Sequence, residues 1–318
     1  MMMKLISNSA LLLSLLFPLY VSAQLSGHNT KGDFGLQSGT QAPPGFYIVP
    51  LIYDYTADTF RDRNGDPRPA LEDGGSIDAQ AAIIGLLWVS ETKVFGGNYG
   101  FAIWPGVTNN ALATPIFQLD EKVDTGLADL YIQPITLGWN TQRADFIAGL
   151  GLYAPTGEWE LGGSNNRGLG MWSYEVFGGT TVYFDEKRTW NFATLASFET
   201  HGKKDGTDIR VGDLLTLEGG LGKSFKGGLF NVGIAYYAQW KLTEDDWGTD
   251  FSLPGTPLRS KNRVYGFGPE VTIPLANKST LYGFLTLRYL WETGARSALE
   301  GNTFIIQFSL PVPSIPLQ

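Results

Sequence analysis

Histidine is the side chain best suited to moving protons near neutral pH, and this chain has two, His28 and His201. His28 lies in a Gly-, Ser- and Thr-rich stretch near the N-terminus. His201 ends an alternating segment, beside Gly202-Lys203-Lys204. A serine nucleophile needs a histidine within reach, and neither histidine has a Ser at alternating spacing. Both read as solvated loop histidines. There is no cysteine, which removes thiolate chemistry, disulfides and Cys-ligated metals together. Neither a His-rich metal spacing nor a phosphate loop is found. Carboxylates of the alternating segments come singly, a poor basis for paired acid–base work. Asp62-Arg63-Asn64-Gly65-Asp66 has the beginning of a calcium loop without the Gly and Glu spacing that completes one. Together with Glu72 and Asp73 it reads as a solvated acidic loop. No enzyme activity, cofactor or metal is expected.

A second set of residues has a different use. Asp145, Glu175, Glu199, Glu218, Lys241, Glu270, Arg288 and Glu292 each stand alone among apolar neighbours, and Tyr237 and Gln239 share the register of Lys241. What could enclose such lone charges is shown by the stretch Leu229–Thr243. Phe230, Val232, Ile234, Tyr236, Ala238, Trp240 and Leu242 fall on one face of an extended strand. Asn231, Gly233, Ala235, Tyr237, Gln239 and Lys241 fall on the other. Side chains in a strand alternate faces, so one side is apolar and the other polar or small. In a membrane barrel the apolar face meets lipid and the polar face a lumen. Charge on the lipid face costs roughly 2–4 kcal/mol near the midplane, so the lone charges must point inward. Glu270 and Arg288 fall on neighbouring strands and are expected to pair across the wall. Tyr153, Phe177 and Tyr183 point inward with Tyr237.

The whole chain follows this plan. Roughly twelve strands of about ten residues run from Phe46 to Leu310, with short turns at one end and long loops at the other, as in bacterial outer-membrane barrels. Short turns fall at Ser90–Gly97, Asn140–Gln142, Asp185–Arg188, Lys226–Gly228 and Ala276–Ser279. Long loops fall at Tyr55–Ser76, after Pro105 as far as Gly126, at Pro155–Gly170, His201–Gly212 and Thr243–Asn262, and before Asn302. Pro134 and Pro269 lie inside strands and are expected at bulges. Trp88, Trp139 and Trp190 mark the short-turn end. Trp104, Trp159, Trp172, Trp240, Trp247 and Trp291 mark the other, as aromatic girdles do at lipid–water interfaces.

Residues 1–23 read as a secretory leader. Lys4 gives the positive start, Ala10–Tyr20 the apolar run, and Val21-Ser22-Ala23 the cleavage site. Residues 24–45 are a lead-in with no period, lying outside the barrel or tucked into it as a plug. The barrel spans 46–310, and 311–318 form a tail behind Phe308, the aromatic residue expected to be read by the barrel assembly machinery. The chain has 318 residues, a net charge of −8, 40 glycines, 13% aromatic and 17% charged residues. That balance excludes disorder and nucleic-acid binding. The wall is expected to meet outer-membrane lipid and lipopolysaccharide.

Several phrases resemble a known family. Pro43-Pro44-Gly45-Phe46-Tyr47 and Tyr53-Asp54-Tyr55-Thr56-Ala57 are similar to the opening of the family named for the meta-pathway of phenol degradation. Gly126-Leu127-Ala128-Asp129-Leu130 and Pro134-Ile135-Thr136-Leu137-Gly138-Trp139 resemble its central phrase, and Pro155-Thr156-Gly157 its strand-to-loop step. The resemblance implies an outer-membrane barrel that admits hydrophobic, often aromatic, small molecules, and carries over no site residue. Passive uptake of such solutes is the expected function, with a general or ion-selective porin as the alternative. A barrel enzyme lacks its His–Ser pattern. A structural or adhesive barrel would act through Asp58–Ser76 and Thr243–Asn262.

Overall fold

In a computed structural model the chain is described over residues 25–68, 75–114, 119–163, 165–225, 229–248 and 261–316. The leader, Glu72, Asp73, the turn Lys226–Gly228 and most of the loop after Thr243 lie outside these residues. The described residues form strands and connections without a helix.

The strands are β1 Gly45–Arg61, β2 Pro67–Arg68, β3 Ser76–Val94, β4 Gly97–Trp104, β5 Gly106–Thr114, β6 Leu119–Leu127, β7 Leu130–Asn140 and β8 Ala144–Ala154. They continue as β9 Ser173–Tyr183, β10 Trp190–His201, β11 Leu214–Phe225, β12 Phe230–Lys241, β13 Arg263–Ala276, β14 Thr280–Arg296, β15 Ala298–Val312 and β16 Ile315–Pro316. Antiparallel neighbours run β1-β3-β4-β7 and on through β15, and β15 returns to β1, closing a barrel of twelve strands. Closure matters because every backbone group in lipid must be paired and a closed sheet has no free edge.

The apolar register faces out. Ile52, Ile84, Leu150, Val176, Leu221, Ile234 and Phe267 are each about half exposed, while Asp145, Glu199, Glu218 and Lys241 are buried. A soluble protein buries the first group and exposes the second, so this inverted distribution is that of a wall standing in acyl chains.

Two expected loops are strand instead. The stretch from Pro105 to Gly126 forms the β5–β6 hairpin, which extends β4 and β7 and pairs with the upper half of β3. β14 and β15 likewise run on to Arg296 and Ala298, leaving Ser297 at the turn with φ 48°. A hairpin standing beyond the lipid needs no apolar face, so it carries no alternation for the sequence to show. Pro134 lies at a register shift between β7 and β8, whereas Pro269 faces Ile234 in unbroken register. At the opposite end, Phe95 and Gly96 take φ of 50° and 81°, both positive as a two-residue hairpin turn requires.

Candidate functional site

Asp145 on β8, Glu175 on β9, Glu199 on β10, Glu218 on β11, Tyr237 and Lys241 on β12, Glu270 on β13, and Arg288 and Glu292 on β14 are buried, and Gln239 is half-buried. Alternation along each strand puts them in one register, and closure turns that register to the interior.

The N-terminal segment 25–44 lies against these side chains. It makes few hydrogen bonds of its own, such as Ser38 N to Gly35 O and Thr40 N to Gln37 O, both 3.0 Å. Wall carboxylates accept from its other N–H groups. Glu199 takes those of His28 at 2.7 Å and Asn29 at 2.9 Å. Glu218 takes those of Gly32 at 2.8 Å and Phe34 at 3.0 Å. Glu270 takes that of Leu36 at 3.2 Å. Cations and an amide donate to its carbonyls: Lys241 Nζ to Leu25 O at 2.7 Å, Arg288 to Gly32 O at 2.6 Å, and Asn191 to Leu36 O. Buried backbone polar groups need partners, and here the wall provides what a helix or sheet would otherwise provide. The segment therefore threads the barrel from Lys241 at the long-loop end to Asp145 and Thr136, which meet Thr40 at 3.2 Å and Gln41 at 3.0 Å, near the short-turn end.

Charge is paired along the way. Arg288 Nε donates to Glu270 at 2.7 Å, and Lys241 Nζ to Asp245 at 2.7 Å. Lys31 from the segment meets Glu292 at 2.6 Å, between the rings of Tyr55 and Tyr237 at 5.1 and 5.9 Å. Both tyrosines donate their hydroxyls to Glu292. Tyr183 donates to Asp145 at 2.6 Å, under the Arg188 guanidinium at 4.4 Å. Towards the long-loop end, Tyr131 and Tyr153 stack at 4.2 Å and His28 stacks on Tyr153 at 4.8 Å.

Both histidines were expected in solvent, and both are buried. His201 is 3% exposed, and the His28 side chain 5%. Ser173 Oγ lies 2.7 Å from His28 Nδ1 and 2.8 Å from His201 Nδ1, while His28 Nε2 meets Asp129 at 2.8 Å. Ser173 faces His201 across the β9–β10 pair, and His28 arrives from the N-terminal segment. Sequence spacing holds no trace of either approach.

Outside the strands, Lys204 is buried. Burial pulls its pKa down to about 8 against the pull of Asp129 and Asp245, and its ammonium lies 5.2 Å over the Trp159 ring. The Asp62 carboxylate is occupied by its own turn. It accepts from Asn64 N at 2.8 Å and Asp66 N at 3.0 Å, and pairs with Arg68 at 3.0 Å.

Residues 57–308 match the sequence model of the family described as the putative MetA-pathway of phenol degradation. The chain belongs to that family. No curated protein matches it. Among solved structures it is similar to the COG4313 outer membrane channel from Pseudomonas putida F1, at 13% identity and TM-score 0.70, covering 89% of this chain and 99% of that one. At that identity the likeness is one of fold. The β domain of the Bordetella autotransporter BrkA is 13% identical with TM-score 0.43, covering 84% of this chain and 99% of that one. The P. putida toluene transporter TodX is 10% identical with TM-score 0.40, covering 91% and 99%. This member of the family thus has the barrel fold of the COG4313 channel.

Proposed function

We propose that the protein is a channel for passive entry of hydrophobic or aromatic small molecules across the outer membrane. The observation that carries this reading is the Tyr131–Tyr153–His28 ring stack at the long-loop end, inside a closed wall. Once His28 moves away with its segment, the stacked rings of Tyr153 and Tyr131 offer a flat apolar face to an aromatic solute, and the polar groups beside them fix its orientation. Membership in a family described by phenol degradation supports the same solute class.

With segment 25–44 hydrogen-bonded across the interior, passage requires that segment to shift. Asp145, Glu175, Glu199, Glu218, Gln239, Lys241, Glu270, Arg288 and Glu292 then line the exposed path with Tyr237. Cells lacking the gene should take up a labelled phenol more slowly than wild type, and the plasmid-borne gene should restore the rate. Equal uptake with and without the gene would rule the reading out.

The excess of inward carboxylates favours a second reading, a cation-selective porin. Planar-bilayer recordings separate the two. Steady cation-selective conductance, unaffected by phenol, belongs to the porin; low conductance with phenol uptake belongs to the solute channel. On either reading the wall sits among outer-membrane lipid and lipopolysaccharide, β15 with Phe308 is the strand offered to the barrel assembly machinery, and no reaction is assigned.

A further inference from the structure

The only two histidines of the chain meet at one buried point, and the transport reading has no use for the meeting. His201 Nδ1 lies 3.3 Å and His28 Nδ1 3.8 Å from Glu199 Oε1, and one donor atom from each residue falls within 4.8 Å of the others. Donors about 2.0–2.2 Å from a tetrahedral zinc ion sit roughly 3.3–3.6 Å apart, so little movement separates this arrangement from a coordination sphere. Ser173 Oγ, between the two imidazoles, occupies the side where a fourth ligand or a water would stand.

The surroundings are those of a metal ligand. With the ring proton on Nε2, donated to Asp129, the Nδ1 lone pair meets Ser173 Oγ at 2.7 Å, with Glu199 Oε1 3.8 Å away. Carboxylates accept from metal-bound histidines in this way, fixing tautomer and orientation. Asp129 is held in turn by Gly157 N at 2.9 Å and Leu169 N at 2.7 Å.

Protein atoms alone leave the cluster open. Ser173 has one hydroxyl proton for two imidazole nitrogens, so when both Nδ1 atoms are unprotonated, as ligation needs, one of them lacks a donor. Glu199, Glu175 and Asp129 lie together, and among the described residues none forms an ion pair with Lys or Arg. A dication would answer that charge. Nitrogen and oxygen donors without sulfur suit a first-row divalent ion.

We propose that His28, His201 and Glu199 bind a divalent transition-metal ion, with zinc as its probe, and that the ion fastens the N-terminal segment to the wall. The site joins residue 28 of the segment to β10, so a bound ion closes a loop of chain across the lumen. It does not depend on which solute the channel carries.

Asp129–His28–Ser173 is also the order of a hydrolase triad. Ser173 is 0% exposed and its hydroxyl is shared with a second imidazole, so no substrate carbonyl reaches it.

The test uses the full-length protein in detergent, stripped with EDTA and titrated with zinc. One ion should bind per chain. Asp129→Asn should bind 10–100-fold more weakly, as second-sphere changes do, and His201→Ala more weakly still. Ser173→Ala should keep the ion. Cobalt in place of zinc should show the visible bands of a tetrahedral site. Zinc should slow amide exchange over residues 25–44 in wild type and leave it unchanged in His28→Ala. That variant alters only the segment, so its barrel, checked by heat-shifted gel mobility, keeps the test valid if His201→Ala fails to fold. Absence of stoichiometric zinc, or equal zinc affinity in wild type and His28→Ala, would overturn the proposal. So would cleavage of a nitrophenyl ester by the zinc-free protein, lost in Ser173→Ala.

Discussion

Arg288 reaches both Glu270 at 2.7 Å and the Gly32 carbonyl at 2.6 Å, so one guanidinium serves the wall and the segment together. Removing one partner of a buried pair strands the other charge, at a cost of about 3–5 kcal/mol. Arg288→Met should therefore lower the urea midpoint of the refolded barrel, and adding Glu270→Gln should recover most of the loss. A double variant no better than the single would mean that the pair is not what holds this point. Lys204 gives a pH signature. Its folded pKa, near 8, lies below the unfolded value near 10.5, so the unfolded chain holds the proton longer and stability rises with pH between the two. The stability of wild type relative to Lys204→Gln should climb across that window in denaturant titrations and stay flat below it. Asp185 acts in the same direction at the acid end of the pH scale. The Trp190 and Thr189 N–H groups hold its carboxyl below the usual range, so its support of the β9–β10 turn fades as pH falls.

The segment 25–44 is an element only because the wall makes it one. It has neither helix nor sheet bonding, and its shape is that of the carboxylates it meets. Hydrogen bonds to charged groups contribute about 1.5–3 kcal/mol each, so the Glu199, Glu218 and Glu270 contacts set how firmly it stays. Close approach is fixed at Gly39, where a Cβ would fall on the backbone of Thr180. Backbone in a closed sheet cannot yield, so Gly39→Val should lift the lower part of the segment away with the barrel intact. Larger single-channel conductance and faster proteolysis near residue 39, with unchanged gel mobility, are the expected readouts. Unchanged conductance would place the segment clear of the path.

Over the whole molecule the sorting of side chains is that of a protein turned inside out. The wall holds by closure and by lipid around it, and the interior by charge met with charge. Ile234, half exposed at mid-strand between Leu221 and Pro269, belongs to the lipid-facing belt. An arginine there should cost about 2–4 kcal/mol of stability in vesicles. Gln239→Arg, five residues on and facing in, should cost far less. Equal costs would mean that the outer face does not meet lipid.

Period two was enough to read the barrel from the chain. Each strand must satisfy lipid on one side and polar company on the other, and that demand is written residue by residue. It gave the strand number, the inward register of Glu199 or Arg288, and the alternation of turn and loop. Where the demand lapses, as in the β5–β6 hairpin beyond the lipid, the strands were invisible. Residues 25–44 showed no period because most of their partners lie on distant strands, Glu218 and Glu270 among them. The meeting of His28, Ser173 and His201 was decided by the tertiary structure alone. It depends on the register of β9 against β10 and on a segment crossing the lumen, and neither leaves a mark in local spacing.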